Sequence, residues 1–270
     1  MRNSKAAVVV AHPDDEALWL SSVVASAGRI VLCFGARIDR PQLSTARQRA
    51  VAALPLAGVV DLAIPESGAG IFAAHEPVSA DILIEKPDAR ARYESNYAKL
   101  IEQLRTALAG FREIYTHNPW GEYGHPEHIQ VHRAVAALQG ELGYTIWFSN
   151  YVSGASWPLA LRLAEDVQCA ERRIVRPDRL TARKLMRVYR QHGAWTWKWA
   201  HRWPREETLF SQPPPADTLP RRPLCGEWLL DLTRLRWWSP PWLSAHRQLP
   251  LPRSGPGRRD GEVHTPPLAR

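Results

Sequence analysis

One short stretch near the N-terminus concentrates side chains that could do chemistry. The apolar run at 8–11 is followed at once by HPDDE at 12–16. Three adjacent carboxylates repel one another, and a buried carboxylate is costly to ionise, so a cation is expected close to them. Taken alone, the same residues would also suit the first turn of a helix, whose dipole favours acids.

A second stretch, THNPWGEYGHPEHIQVHRAV at 116–135, is rich in histidine. His125, His128 and His132 are spaced i, i+3 and i+7. If a helix begins near Pro126, they share one stripe with the apolar residues that follow, and that stripe should face the sheet. Imidazoles beside an acid cluster are the ingredients of a metal site.

The first stretch also has a spacing that suits a metal. His12 and Asp15 are three residues apart around a first helical turn, so both can point to the same ion. A catalytic zinc site uses three protein ligands and keeps one position for water, and one further histidine would complete the set. The neighbouring Asp14 would then be free to take a proton from the water that the metal activates.

Together the two motifs, AHPDDE and YGHPEH, resemble the LmbE-like, or PIG-L, family of metal-dependent N-acetylglucosamine deacetylases. The resemblance covers residues 5–150, the expected Rossmann-like core. The usual second motif of that family is closer to HPDH. Here Glu127 replaces the aspartate, which keeps the charge and lengthens the side chain.

The resemblance implies a set of metal ligands and a base. His12, Asp15 and His128 correspond to the zinc ligands of the family, and Asp14 to its general base. Iron(II) would suit the same ligands, so the native metal stays open.

Five further residues receive roles from the resemblance. His125 corresponds to the second catalytic histidine, which stabilises the oxyanion or protonates the leaving amine, and Glu127 to the acid that supports it. Tyr123 lies where some members use a mobile tyrosine on the oxyanion, although it could equally form a pocket wall. Arg47 and Arg49 lie where members place an arginine that contacts the sugar, and an exposed helix face is the alternative.

Some candidates are expected to be structural. His132 could replace a metal ligand, because it follows His128 by one helical turn, but a structural role is favoured. The same default applies to His117. The tryptophan-rich stretch GAWTWKWAHRW at 193–203 does not form a single helical stripe. Packing is favoured for it, with a pocket wall as the alternative.

The surrounding pattern predicts how these residues are positioned. Between 7 and 150 the order is β-α-β-α-β, a loop at 66–90, then α-β-α-β, with a first helix at 15–28 that ends at Gly28. This alternation predicts an α/β fold, a Rossmann-like and mostly parallel sheet with helices on both faces. Ligands bind beyond the carboxyl ends of such strands, where both motifs lie.

The chain after residue 150 has a weaker pattern. Residues 160–202 are predicted to be helical, and 204–270 to form a Pro/Arg-rich, irregular extension. We therefore expect an LmbE-like deacetylase domain at 1–203, with its core at 5–150, and an extension at 204–270 whose tail after residue 253 is flexible.

Composition narrows the class of protein. The formal net charge is +8, but the charge is dispersed and shows no interleaved aromatic pattern, so no nucleic acid partner is expected. No uncharged apolar run of about 18 residues is present, so a cytoplasmic protein without a spanning helix is expected, with peripheral membrane contact left open.

The combined hypothesis is a zinc-dependent enzyme that hydrolyses the N-acetyl amide of a 2-acetamido sugar in a glycan, glycolipid or glycosylated natural product. Its partner would be an N-acetylated sugar or glycoconjugate. The alternatives are a metal-dependent hydrolase of another amide or carbamoyl group, and a non-catalytic basic binding protein.

Overall fold

A seven-stranded sheet forms the centre of the protein, and two small sheets lie outside it. The computed structural model describes residues 3–69, 84, 86–198, 201–224 and 229–232. The strands of the central sheet are β1 (Asn3–Val10), β2 (Ala27–Leu32), β3 (Val59–Asp61), β4 (Glu113–Thr116), β5 (Thr145–Ser149), β8 (Arg172–Val175) and β9 (Glu207–Gln212). The small sheets pair β6 (Tyr151–Val152) with β11 (Leu230–Asp231) and β7 (Gln168–Cys169) with β10 (Arg222–Pro223).

The strand order of the central sheet is β3-β2-β1-β4-β5-β9-β8. The strands from β3 to β5 are parallel, and β9 pairs antiparallel with both β5 and β8. The sheet is therefore mostly parallel, as the alternating pattern predicts. The helices are α1 (Asp15–Trp19), α2 (Ser21–Val24), α3 (Pro41–Ala52), α4 (Pro87–Leu108), α5 (Gly121–Gly124), α6 (Pro126–Leu142), α7 (Trp157–Asp166) and α8 (Arg179–Gln191).

Apolar side chains of β1 alternate between two cores because successive residues of a strand point to opposite faces. Val8 and Val10 join the core formed with α1, α3 and α8. Val9 joins the core formed with α4 and α6, where Val131 and Val135 are fully buried. The sheet thus carries helices on both faces, and the α/β fold class is confirmed.

The first helix is shorter than predicted. Backbone angles at Leu20 (φ −133°, ψ 24°) separate α1 from α2, and β2 already begins at Ala27. The prediction that Gly28 ends a helix is therefore wrong, because Gly28 lies inside β2. The early end of α3 before Pro55 agrees with the rule that proline cannot continue a helix.

Several strands beyond residue 150 were missed. The sequence favours helix across 160–202, but β7 and β8 separate α7 from α8. The strand β9 falls in the segment predicted to be an irregular extension, and it lies inside the central sheet. Most of the loop at 66–90 and the tail after residue 253 lie outside the described residues.

Among the helices that the structure describes, none combines the length and apolar character needed to cross a bilayer.

Candidate metal centre and active site

The carboxyl ends of neighbouring parallel strands bring the two sequence motifs together. His12, Asp14 and Asp15 follow β1, and the segment 117–128 follows the adjacent strand β4. The loop after β3 adds Glu66, whose Oε1 lies 4.0 Å from His12 Nε2. The site therefore lies where ligands bind in sheets of this topology.

The carboxylate of Asp15 contacts several nitrogen atoms of neighbouring residues. Its Oδ1 accepts a hydrogen bond from Trp19 Nε1 at 2.9 Å. Its Oδ2 accepts from the His12 backbone N–H at 2.8 Å and lies 3.1 Å from His12 Nδ1 and 3.3 Å from His128 Nε2. Burial disfavours the charge, but His128, His117 and His12 hold the pKa of Asp15 well below its ordinary value. Asp15 is therefore an ionised carboxylate.

His128 has the environment of a metal ligand. The ring is fully buried, and its Nδ1 lies 2.7 Å from Glu122 Oε2, which places the ring proton on Nδ1. The other nitrogen, Nε2, has no hydrogen-bond partner in the part of the chain that the structure describes. A buried ring nitrogen that faces one carboxylate, while the other ring nitrogen is held by a second carboxylate, is the arrangement found around metal-bound histidines.

His117 stacks on His128 with ring centroids 3.8 Å apart but differs in its bonding. Its Nε2 accepts the backbone N–H of Ala11 at 2.8 Å. Although burial lowers it, Glu122 and Asp15 raise the pKa of His117 to about 9. The amide bond nevertheless requires an unprotonated Nε2, so this lone pair is used within the protein.

Glu122 orients both rings. Its Oε2 lies 3.0 Å from His117 Nδ1 and 2.7 Å from His128 Nδ1, and its Oε1 accepts the backbone N–H of Asn118. Burial opposes its charge, but the two histidines lower the pKa of Glu122 to about 2. The residue has a positive φ of 53°, an uncommon conformation for a residue other than glycine. Such a backbone is held by the surrounding contacts.

His12 lies between three carboxylates. Its Nε2 is 2.8 Å from Glu127 Oε2, and its Nδ1 is 3.1 Å from Asp15 Oδ2. Burial lowers the pKa of His12, but Glu66, Asp15 and Glu127 outweigh it and raise that pKa to about 10. The same carboxylates would favour a metal cation as they favour the proton. Because a ligand histidine must be deprotonated, an ion bound through His12 would displace this proton.

The resemblance assigns Glu127 to support of His125, and the structure places its carboxylate elsewhere. Apart from its contact with His12, Glu127 Oε1 accepts hydrogen bonds from the N–H and hydroxyl of Ser67 at 2.5 and 2.8 Å. Only the backbone N–H of Glu127 reaches His125, at Nδ1 and 3.3 Å. The carboxylate of Glu127 thus positions the first motif against the loop after β3.

Within the described part of the chain, three groups of three side chains bring ligand atoms within 4.8 Å of one another. They are His12 with His125 and His128, Asp15 with His117 and His128, and His12 with Glu66 and Glu127. The groups overlap, and each of them contains one or two of the three predicted ligands His12, Asp15 and His128 but not all three. The donor set of imidazole nitrogens and carboxylate oxygens fits zinc or iron(II).

Asp14 is adjacent to this cluster and nearly buried. Its Oδ2 accepts hydrogen bonds from both the N–H and the hydroxyl of Thr196, each at 2.9 Å. Burial and the charge of Asp15 raise the pKa of Asp14 to about 7, while Thr196 and Arg47 oppose that shift. A carboxylate with a pKa near neutrality suits the exchange of a proton.

The structure also places His125 and Tyr123 at the cluster. The His125 ring lies 4.8 Å from that of His12 and 4.7 Å from that of His128. Burial, His128 and His12 hold the pKa of His125 well below its ordinary value, so the ring is neutral. Since Nδ1 accepts the Glu127 amide, the proton lies on Nε2. The Tyr123 ring lies 5.3 Å from His128, and burial and Asp15 raise the pKa of its hydroxyl, which stays protonated.

The two predicted arginines have different environments. Arg47 is buried, and its guanidinium forms an ion pair with Glu66, which also binds Arg37 at 3.2 Å. Arg49 is exposed on α3. Residues two apart on a helix point in nearly opposite directions, so only Arg47 is brought to the site.

The tryptophan-rich stretch covers one side of the site. Trp197 packs against Trp19 and Tyr123 with ring centroids 5.2 and 5.1 Å away. Trp203 is buried, and its Nε1 donates to the Ala17 carbonyl. These contacts are packing contacts, and the alternative role of the stretch as a pocket wall stays a prediction.

His132 takes no part in the three groups. Its Nδ1 lies 2.8 Å from the carbonyl oxygen of His117, and its ring packs edge-on against Phe148. Burial lowers its pKa to about 4, so it is a neutral donor to the backbone. The structural interpretation fits this geometry.

Several residues of the site were not identified from the sequence. They are Glu66, Ser67, His117, Glu122 and Thr196. His117 and Glu122 follow a strand directly, a position that could have marked them as candidates. Thr196 offers no such signal, because its partner Asp14 lies 182 residues away. Glu16, the last acid of the first motif, accepts hydrogen bonds from the Asp14 N–H and the Tyr189 hydroxyl, and so holds the backbone of Asp14.

No family model matches the chain, and no curated protein matches it.

Comparison with solved structures gives 16 matching chains. One is a deacetylase in the biosynthesis pathway of teicoplanin, 12% identical over 76% of this chain and 97% of that chain, with a TM-score of 0.48. Another is a pseudoaglycone deacetylase of an antimicrobial reagent, 10% identical over 79% and 99%, with a TM-score of 0.45. A conserved protein from Thermus thermophilus is 16% identical over 69% and 78%, with a TM-score of 0.37.

Proposed function

We propose that this protein is a metal-dependent hydrolase that removes the acetyl group from the nitrogen of a 2-acetamido sugar. The observation that carries the proposal is the buried Nε2 of His128, which lies 3.3 Å from Asp15 Oδ2 and has no hydrogen-bond partner among the described residues. The buried carboxylate of Asp14, the residue before Asp15, is available as a base. These features support a metal ligand set with a base, the two components that hydrolysis of an unactivated amide requires.

His12, Asp15 and His128 would hold the metal. Zinc is the first candidate and iron(II) the second, because both accept two imidazoles and a carboxylate. When bound there, the ion would supply Lewis-acid polarisation of an oxygen and lower the pKa of a coordinated water.

Asp14 is the proposed general base. It would take one proton from the attacking water as the oxygen forms a bond to the acetyl carbon. Collapse of the tetrahedral species breaks the bond between carbon and nitrogen, and the nitrogen takes the proton that Asp14 received from the water. The products are acetate and the free amino sugar, so atoms and protons balance.

His125 is the proposed partner of the acetyl group. Its neutral ring carries the proton on Nε2, so it can donate a hydrogen bond to the oxygen on which negative charge develops. The protonated hydroxyl of Tyr123 is a second donor at the same cluster. Both residues are only partly exposed, which limits the water around the reacting group.

The walls suit a carbohydrate. Trp197 and Tyr123 offer aromatic faces, on which the apolar face of a sugar ring or an apolar aglycone packs well. Arg47 and Arg37 both form ion pairs with Glu66, which lies close to His12, so two cationic groups lie near the site. A glycoconjugate that carries an N-acetylated sugar is the substrate class that combines these features.

Acetate release from a panel of N-acetylated sugars tests the proposal. Purified protein should release acetate from a 2-acetamido sugar when zinc or iron(II) is present and lose this activity with a chelator. A panel that includes other amides and carbamoyl compounds distinguishes the proposed reaction from its alternatives. Acetate release from none of the N-acetylated sugars under either metal would reject the substrate class.

Two substitutions test the proposed roles within that assay. Asp14→Asn keeps a residue that tolerates positive φ and should lower kcat by roughly 10²- to 10⁴-fold while metal content stays unchanged. His128→Ala should lose the metal, measured by elemental analysis. His132→Ala is the matched control because it removes a buried histidine of the same helix that binds only a backbone carbonyl, and it should retain the metal.

A further inference from the structure

Asp14 is held in a conformation that its own sequence does not favour. Its φ is 106°, outside the regions that residues with a side chain usually adopt, so the surrounding contacts must hold it. The backbone N–H donates to Glu16 Oε2 at 3.1 Å, which fixes the main chain of Asp14 but leaves its carboxylate free to turn. A base that must face one water requires a second constraint on the side chain.

Thr196 provides this constraint. Its N–H and its hydroxyl both donate to the same oxygen of Asp14, Oδ2, at 2.9 Å. Two donors from one residue hold Oδ2 in place more firmly than one donor would. They leave Oδ1 outside this pair of bonds, so the second oxygen is the one that the proposed reaction would use.

Hydrogen bonds hold the chain that leads to Thr196. Gly193, two residues after the end of α8, has a φ of 71° and turns the chain away from the helix. The N–H of the fully buried Ala194 then donates to the Tyr189 carbonyl at 2.7 Å. The Tyr189 hydroxyl donates to Glu16 Oε1 at 2.8 Å. The end of α8 is thereby tied to α1, the helix that begins at Asp15.

We infer that Thr196 is a positioning residue for the catalytic base: it orients the carboxylate of Asp14 so that Oδ1 faces the attacking water. The inference rests on the proposed function for its role in turnover. Its structural part, the orientation of Asp14 by Thr196, stands on the geometry above.

The chain offers a matched control for this test. Thr181 makes a similar pair of contacts to Asp178: its hydroxyl donates to Oδ2 at 2.6 Å and its N–H to Oδ1 at 3.0 Å. Asp178 is the N-cap of α8, and Thr181 lies three residues later on that helix. Thr181→Val therefore removes a hydroxyl from a similar contact that the proposed reaction does not use.

The kinetic test compares Thr196→Val, Thr196→Ser and Thr181→Val. Valine keeps the shape and the backbone N–H but removes the hydroxyl, so Thr196→Val should lower kcat by about tenfold to a hundredfold, with KM and metal content unchanged. Thr196→Ser should restore most of kcat, and Thr181→Val should match the unsubstituted protein. An unchanged kcat in Thr196→Val, or a rise in KM alone, would overturn the inference.

A structural measurement separates this inference from the proposed function. Crystal structures of the unsubstituted protein and of Thr196→Val should show the Asp14 carboxylate turned in the variant and unchanged in Thr181→Val. If the protein hydrolyses no N-acetylated sugar but the carboxylate turns, the proposed function fails and the positioning stands. If the carboxylate keeps its orientation, the positioning fails whatever the activity.

Discussion

The rings of His117 and His128 lie face to face and share one carboxylate, yet within the described part of the chain the Nε2 of His128 lacks the hydrogen-bond partner that the Nε2 of His117 has. The difference comes from one backbone N–H, that of Ala11, which binds His117 Nε2. Glu122 holds both rings through their Nδ1 atoms and is the residue on which the orientation of His128 depends. Metal affinity should therefore depend on Glu122 as well as on the ligands.

Replacing Glu122 tests this dependence. In Glu122→Gln the charge that orients His128 is lost, and we expect zinc affinity to fall by roughly 10- to 100-fold while the protein stays folded. Competition with a chromophoric chelator measures the affinity. Glu141→Gln, which changes an exposed glutamate paired with Arg105, is the control and should leave the affinity unchanged. An affinity for Glu122→Gln within about twofold of the original would contradict the role given to Glu122.

The sequence predicted part of this residue-level picture. The motif residues His12, Asp15 and His128 could be found because their types and spacing are themselves the signal. Glu122 could not be found so readily, because its role depends on a positive φ and on a contact with a ring six residues away. The carboxylate of Glu127 was assigned to His125 by resemblance, whereas its position against His12 depends on how two loops meet.

At the scale of elements, one buried carboxylate joins three parts of the fold. Glu207 at the start of β9 accepts hydrogen bonds at 2.6 Å from Ser22 of α2 and from Tyr151 of β6. Burial raises the pKa of Glu207 from its usual 4.5 to about 7, although both hydroxyls oppose that shift. The folded protein therefore binds a proton here more tightly than the unfolded chain does.

This pKa predicts the direction of a pH effect. The stabilising contribution of Glu207 is complete below pH 4.5 and is lost as the pH rises through about 7, a change of about 3 kcal/mol in the free energy of unfolding. Glu207→Gln imitates the protonated form and should remove this loss.

Urea unfolding at pH 5 and pH 8 measures the effect. The free energy of unfolding of Glu207→Gln minus that of the unsubstituted protein should be larger at pH 8 than at pH 5. Glu141→Gln, at an exposed site, should show no comparable dependence. A stability difference for Glu207→Gln that is the same at both pH values would show that Glu207 is not protonated preferentially in the folded state.

The elements that were missed share a physical cause. Helices α4 and α6 and strands β1, β4 and β5 have long or continuous apolar patterns that identify them locally. The break between α1 and α2 and the strand β9 depend on tertiary contacts instead. β9 lies just before a proline-rich segment, and its pairing partners β5 and β8 are distant in the sequence.

On the scale of the whole molecule, β9 joins β8 to the parallel strands of the central sheet. It pairs antiparallel with β5, where Phe148 lies opposite Phe210, and with β8 on its other side. Both phenylalanines belong to the core that also contains α7. The predicted division of the chain into 1–203 and 204–270 stays a prediction. β9 lies in the second segment and pairs with two strands of the first.

A truncated chain tests that division. We expect residues 1–203 alone to lack a cooperative thermal transition, because β5 and β8 would lose their common neighbour and Phe148 its partner. Circular dichroism of the truncated and full-length chains makes the comparison. A truncated chain that unfolds cooperatively at the same temperature would show that 1–203 is an independent domain.

The contact between Asp14 and Thr196, 182 residues apart, also has a consequence for biosynthesis. A ribosome delivers the first motif well before Thr196, the residue inferred to orient its carboxylate, and before β9, which joins β8 to the rest of the central sheet. Nascent chains that stop before β9 should therefore be catalytically silent. Activity of this protein would report that synthesis has passed residue 212.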